Sequence, residues 1–119
     1  MNIDCTVYRT VEYLSKRWSL LILLELFKGE DYSKRYSELK NDLLDITPKV
    51  LSTRLKELQS EGLVSKTVDA SSFPVRSDYT LTESGLALID VIKSLKEWAL
   101  IWKIDNEPCQ KMDCADCPL

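Results

Sequence analysis

The stretch that decides the fold is TPKVLSTRLKELQSEGLVSKTVDASSFPVRSDYTLTESG, residues 47–85. Its first part predicts a helix over residues 48–61. Thr47 can cap the first turn, Pro48 suits the position after the cap, and Gly62 can end the helix. This helix carries two different faces, and the two together indicate what it does.

One face of this helix is apolar, because Leu51, Leu55 and Leu58 recur at steps of four and three residues. A second face is polar, short and basic, and it consists of Lys49, Ser52, Thr53 and Lys56. Such side chains suit phosphates and base edges, so we expect this face to enter the major groove of DNA. We expect Ser37, Thr47 and Arg54 to hold phosphates beside it. An ordinary solvated helix face is the alternative.

A hairpin follows the helix. Residues 63–68 and 75–81 are short runs rich in Val, Thr and Tyr, and turn-forming residues separate them. Thr82 can cap the next helix, so we expect the hairpin to stand between two helices rather than to join a larger sheet. The wing, residues 69–76, is expected to approach adjacent DNA. The side chains expected to do so are Ser71, Ser72 and Arg76.

Upstream, residues 36–44 predict a supporting helix, with Ser37 as its cap and with Leu39 and Leu43 facing inward. Only Asp45 and Ile46 then remain before Thr47, which is the tight connection that a helix-turn-helix requires. The sequence therefore predicts a mostly α chain with a small β-hairpin, an α+β winged helix-turn-helix.

Several motifs in this order resemble one family, the HxlR-type winged-helix transcriptional regulators, which are related in fold to the MarR-type regulators. The matching segments are Cys5, KRWSLLIL at 16–23, YSEL at 36–39, ITPKVLS at 46–52, RLKEL at 54–58, GLV at 62–64, Pro74 with Arg76, and YTLT at 79–82 with Gly85. The chain departs from the family pattern at Thr6, where a proline is usual, in a longer loop at 29–35 and in the tail after Lys103.

Composition is consistent with a small DNA-binding module. We expect one domain, residues 1–104, and an acidic tail, residues 105–119. The net charge of −3 comes entirely from the tail, which has four acids and one lysine, so the domain itself is neutral. The chain has no apolar run long enough to cross a membrane and no signal-peptide pattern at its start, so we expect no membrane partner and a cytoplasmic location.

Enzymatic activity is not expected. The chain has no histidine and only three glycines, so it offers no imidazole for the usual catalytic sites and no glycine-rich phosphate loop.

The last predicted helix, residues 83–103, has more apolar surface than one small domain easily covers. It can pack on the first helix of its own chain or on a second copy, and we expect both, because dimers formed by terminal helices are the rule in the family that the chain resembles. Two recognition helices would then contact half-sites about one turn of DNA apart. The expected interface residues are Val7, Val11, Leu88, Val91, Ile92, Leu95, Trp98 and Trp102.

The four cysteines form two groups. Cys5 lies at the start of the first predicted helix with Arg9 one turn later, which would favour the thiolate, and it matches the cysteine that many members of the family use to sense oxidants. A small buried apolar residue is the alternative. Cys109, Cys114 and Cys117 have the spacing C-x4-C-x2-C, which could hold zinc or part of an iron-sulfur cluster, with Cys5 as a possible fourth ligand. A disordered tail with incidental thiols is the alternative.

These observations favour a homodimeric, sequence-specific DNA-binding transcriptional regulator that responds to cysteine oxidation or to a metal, without indicating its effector. Two other interpretations remain. One is a winged-helix protein-interaction module that does not bind DNA, and the other is a thiol or metal redox protein that uses Cys114 and Cys117.

Overall fold

The computed structural model describes residues 2–71 and 73–118. Its helices are α1 (Thr6–Leu14), α2 (Ser19–Lys28), α3 (Tyr36–Asp42), α4 (Pro48–Ser60), α5 (Glu83–Trp102) and α6 (Glu107–Gln110). Its strands are β1 (Ser33–Arg35), β2 (Val64–Asp69) and β3 (Arg76–Leu81), and two 3-10 turns lie at Glu30–Tyr32 and Cys114–Asp116.

Helix α2 lies at the centre of the molecule. Its residues Ile22, Leu23 and Leu26 are completely buried, and α1, α3, α4, α5 and β3 all pack against it. The apolar stripe of α4 and the inner residues of α5 complete this core. No helix within the described residues is long and apolar enough to cross a membrane.

The sheet has three antiparallel strands in the order β1-β3-β2, which corrects the expectation of an isolated hairpin. Strand β1 pairs with the outer side of β3, where Ser33 lies opposite Thr80 and Arg35 opposite Asp78. The three residues of β1, Ser-Lys-Arg, have no strand-forming pattern of their own. They become a strand because β3 offers them an unpaired edge.

Helix α3 is shorter than the sequence predicted, and Ser37 does not cap it. The cap position is Arg35, whose backbone N–H donates to Glu38 Oε1 at 3.1 Å, so Ser37 lies inside the first turn. The helix ends at Asp42 because the backbone leaves the helical region at Leu43. This break lets Leu43 and Ile46 both reach the core.

The junction between α4 and β2 is held by α5. Gly62 adopts a left-handed φ of 80° directly after α4, as a helix-ending glycine does. Its carbonyl oxygen accepts hydrogen bonds from Thr82 Oγ1 at 2.6 Å and from Ser84 Oγ at 3.0 Å. Thr82 Oγ1 also accepts from the Gly85 N–H, so the cap of α5 fixes the end of α4.

The described part of the tail is folded and packs against the domain. Asn106 caps α6, Asp113 caps the following 3-10 turn, and that turn packs against α2. Lys93 Nζ of α5 lies 3.0 Å from Asp113 Oδ2. The alternative of a disordered tail therefore does not describe residues 105–118.

Candidate nucleic-acid interface

The outer face of α4 carries the four side chains expected to enter the major groove. Lys49, Ser52, Thr53 and Lys56 are all exposed. On the opposite side Leu51, Leu55 and Leu58 are at most 1% exposed. Packing of this leucine stripe thus fixes the rotation of α4 and turns its basic face to solvent.

The start of α4 is fixed by three contacts. Thr47 Oγ1 accepts from the Val50 N–H at 3.2 Å, as a capping residue does. Tyr36 Oη of α3 donates to the Pro48 carbonyl oxygen at 3.1 Å and lies 3.2 Å from Ser52 Oγ. Sequence reasoning assigned no role to Tyr36, because no local pattern relates positions 36 and 48. Ser37 is exposed on the first turn of α3, beside this junction.

Arg54 differs from its neighbours on α4. Its Nε donates to the Arg17 carbonyl oxygen at 3.1 Å, and its NH1 group lies 3.2 Å from Glu57 Oε1. Lys16 reaches the same carboxylate through Oε2 at 3.1 Å. Arg54 therefore ties α4 to the segment before α2, and its half-buried guanidinium already has protein partners.

The wing is less basic than its sequence suggests. The Arg76 guanidinium makes two hydrogen bonds to the Asp78 carboxylate, at 2.9 and 3.1 Å, and these hydrogen bonds raise the pKa of Arg76. Ser71 turns its N–H and hydroxyl toward Asp69 Oδ1. Ser72 lies outside the described residues. Phe73, at the tip, is completely exposed.

An open cleft of about 860 Å³ separates α1 from α4. Cations of both helices line it, and so do carboxylates. The charged lining residues are Arg9, Glu12, Lys16, Lys56, Glu57 and Glu61. Lys56 thus belongs both to the outer face of α4 and to a cleft that begins one residue after Cys5, at Thr6.

The apolar face of α1 and α5 is largely exposed. Six of the eight expected interface residues are 44–70% exposed, namely Val7, Val11, Val91, Leu95, Trp98 and Trp102. Two expectations need correction. Ile92 is only 8% exposed and belongs to the core, while Leu88 is half-buried against that core. Both side chains point toward their own chain because they lie on the side of α5 that packs on α2.

The cysteines do not form the expected metal centre. No three His, Cys, Asp or Glu side chains among residues 2–71 and 73–118 are close enough together to hold a metal ion. Within these residues Cys109, Cys114, Cys117 and Cys5 are therefore not brought together as one metal site. All four are half-buried free thiols, and Cys5 occupies the cap position of α1.

Comparison with known proteins agrees with this geometry. The model of the HxlR-like helix-turn-helix family matches residues 13–107, which is most of the chain and includes α2 to α5. The chain belongs to this family. It is 42% identical over 94 residues to YvaP of Bacillus subtilis (strain 168), an uncharacterised HTH-type transcriptional regulator, covering 79% of this chain and 83% of YvaP.

Two solved structures extend the HxlR-like comparison. A chain from Porphyromonas gingivalis W83, assigned to the MarR family of transcriptional regulators, superposes with a TM-score of 0.76 at 26% identity, covering 87% of this chain and 97% of that one. The reduced form of the regulator YodB from B. subtilis gives 0.72 at 34% identity, covering 86% and 97%. YodB has also been solved after diamide treatment and with bound quinone. This family consists of transcriptional regulators and not of enzymes.

Proposed function

We propose that this HxlR-like protein is a homodimeric, sequence-specific DNA-binding transcriptional regulator whose α4 reads the major groove. The carrying observation is the outer face of α4, where Lys49, Ser52, Thr53 and Lys56 are exposed over a completely buried leucine stripe. The two lysines supply positive charge for phosphates and base acceptors, and the two hydroxyls can donate to or accept from base edges.

Residues next to α4 have different proposed roles in DNA binding. Ser37 and Thr47 lie at the start of α3 and just before α4, where they can approach phosphates on either side of the groove. Arg54 acts mainly as a brace through Arg17 and Glu57. Arg76 can contact DNA only by leaving or sharing Asp78, so the wing adds shape and few charges.

The first experiment compares the double variant Lys49→Ala with Lys56→Ala against a matched control, Lys103→Ala with Lys111→Ala. Both pairs change the net charge from −3 to −5. The probe is a duplex that the wild-type protein selects from a random-sequence pool, and fluorescence anisotropy measures its affinity across a salt series. We expect at least a tenfold loss for the α4 pair and a salt slope shallower by about two, since each lost phosphate contact removes about 0.9 from the slope.

The control pair should bind within about threefold of wild type, because exposed cations far from the groove add little. Equal affinity of the α4 pair and the wild type at moderate salt would refute the placement of α4. Failure of the wild-type protein to select any duplex would favour a winged-helix module that binds proteins instead.

The dimer rests on the exposed apolar face of α1 and α5. Trp98 and Trp102 alone place two indole rings at this surface, 52% and 70% exposed. A contiguous apolar face of this kind marks an interaction site. A second copy is the proposed occupant because a two-fold pair of α4 helices can contact two half-sites, which one copy cannot.

Cys5 is the proposed control point. It lies at the start of α1, next to Thr6 of the cleft between α1 and α4, so an adduct on its Sγ can change the spacing of these two helices. With a quinone, the thiolate sulfur would add to a ring carbon, and the proton lost by the thiol would finish on a ring oxygen. The quinone-bound and diamide-treated structures of the relative YodB support a thiol-based response.

The test of this control treats wild type and Cys5→Ser with a quinone and measures DNA affinity before and after. Wild type should change affinity at least fivefold, and Cys5→Ser should not respond. The variant Cys109→Ser serves as the control for nonspecific thiol modification. An equal response from Cys5→Ser would assign the control to another cysteine.

A further inference from the structure

The chain after α5 folds back and is held at a defined position. Lys93 Nζ lies 3.0 Å from Asp113 Oδ2, and Lys96 Nζ donates to the Met112 carbonyl oxygen at 2.8 Å. Asp113 Oδ1 accepts from the Ala115 N–H at 2.9 Å, which starts the 3-10 turn. We define residues 113–117 as the tail turn. It packs against α2, so two helices of the core support it.

The tail turn places two cysteines three positions apart in one tight turn of the backbone. The Cys117 N–H donates to the Cys114 carbonyl oxygen at 3.3 Å, which closes one turn between positions i and i+3. The Cα atoms at such positions lie within about 7 Å of each other, and a disulfide requires roughly 4.4–6.8 Å. The backbone separation within the turn is therefore compatible with a disulfide between Cys114 and Cys117.

The exposure of the two thiols and the charge near them also favour a reaction with small oxidants. Cys114 and Cys117 are both half-buried, so small molecules can reach them. Lys93 provides a cation nearby. The hydrogen bond to Asp113 is the main factor that raises the pKa of Lys93, and Cys114 contributes to the same rise. A partly exposed thiol beside a cation is the environment in which cysteines react with oxidants.

We propose that Cys114 and Cys117 form a reversible dithiol site that hydrogen peroxide oxidises to an intramolecular disulfide. One thiolate sulfur attacks a peroxide oxygen, the O–O bond breaks, and the departing oxygen leaves as water, so that a sulfenic acid remains. The second sulfur then attacks the sulfenic sulfur, the S–O bond breaks, and a second water leaves. Two electrons and two thiol hydrogens pass to the peroxide. A low-molecular-weight dithiol returns the site to its reduced form by two exchange steps.

This site is separate from Cys5 in both position and chemistry. It needs no second copy of the chain, no DNA and no metal, so it does not rest on the proposed function. Cys109 lies on α6, outside the tail turn, and serves as an internal comparison.

The experiment treats the full-length protein with hydrogen peroxide, blocks the remaining thiols with N-ethylmaleimide and digests it with trypsin. Cleavage after Lys111 separates Cys109 from the peptide that begins at Met112 and carries both thiols of the tail turn. We expect this peptide to be unlabelled and lighter by about 2 Da, the mass of two hydrogens. We expect the peptide with Cys109 to be labelled, and dithiothreitol should restore labelling of both tail thiols.

Single Cys→Ser variants identify which two cysteines form the disulfide. Cys114→Ser and Cys117→Ser should each abolish the 2 Da loss, whereas Cys5→Ser and Cys109→Ser should keep it. The proposal is overturned if both tail thiols remain open to labelling after peroxide. It is equally overturned if the tail peptide is found cross-linked to Cys5 or Cys109, or if the tail thiols oxidise only to sulfinic acids.

Discussion

Two glycines at the junction of α4, β2 and α5 illustrate how single residues control this fold. Gly62 needs its left-handed φ, but a Cβ there would meet no atom within 4 Å. At Gly85 a Cβ would lie 2.1 Å from the Leu63 carbonyl oxygen. The first glycine is required for backbone conformation, and the second is required for the close contact of α5 with the chain that leaves α4.

Substitution of the two glycines should separate these requirements. Gly62→Ala should lower the free energy of unfolding by about 1 kcal/mol, the cost of a left-handed alanine. Gly85→Ala should cost more, about 3 kcal/mol, because backbone must move to admit the methyl group. Urea unfolding measures both values. A smaller loss for Gly85→Ala than for Gly62→Ala would contradict the close contact between α5 and Leu63.

At the scale of elements, the sequence predicted the features that depend on residues close together in the chain. The cap at Thr47, the leucine stripe of α4 and the cap at Thr82 all depend on neighbours within a few residues, and the structure contains them. Strand β1 was missed because its three polar residues pair only with a strand more than 40 positions later. The same reason explains Arg54. Its partner Arg17 is distant in sequence, so helix periodicity could not decide its direction.

The position of the tail depends on an interaction that should respond to pH. The hydrogen bond from the Ala115 N–H lowers the pKa of Asp113 below its ordinary value of 3.8, and the hydrogen bond from Lys93 lowers it further by a smaller amount. The stabilising contribution of the carboxylate is therefore present above that ordinary value and lost as the pH falls through the lowered one. The Ala115 amide resonance, followed by NMR, should shift only below about pH 4.

Two variants of the tail turn provide the comparison. Asp113→Asn should remove the acid transition of the Ala115 resonance, and Asp116→Asn, in the same turn, should leave it in place. A midpoint at or above the ordinary carboxyl value in the wild-type protein would show that Asp113 is not held by these contacts.

At the scale of the whole molecule, the distribution of charge matters more than its sum. Lys93 of α5 lies 3.0 Å from Asp113 of the tail, and Lys96 donates to the Met112 carbonyl oxygen. The two charged side chains on the outer face of α4, Lys49 and Lys56, are both cations. A net charge of −3 is therefore compatible with a DNA-binding surface. The sequence indicated this division, but it did not indicate which lysines hold the tail, because these contacts join α5 to residues 16–20 positions later.

The proposed dimer provides the prediction at this scale. Leu95→Glu with Trp98→Glu would place two carboxylates in the apolar face of α5, at side chains that are 53% and 52% exposed in the single chain. Burial of unpaired charges is costly, so sedimentation should report a monomer at micromolar concentration. Leu44→Glu, an equally apolar exposed position outside α1 and α5, should leave the dimer intact. A dimeric double variant would exclude this face as the interface.

The length of helix α5 has one further consequence, because a small tilt of a long helix displaces its far end by several ångströms. Its 20 residues form a rod of about 30 Å, held at one end by the Thr82 cap beside the end of α4. Near its other end it carries Trp98 and Trp102. Between these ends the tail is attached to α5, by Lys93 at Asp113 and by Lys96 at Met112. A tilt of about 5° moves the far end of such a rod by between 2 and 3 Å, which approaches the spacing of one base pair, about 3.4 Å. In the proposed two-fold dimer, a small change in the crossing angle of the α5 helices would therefore be enough to move the two α4 helices into or out of register with successive half-sites of the DNA.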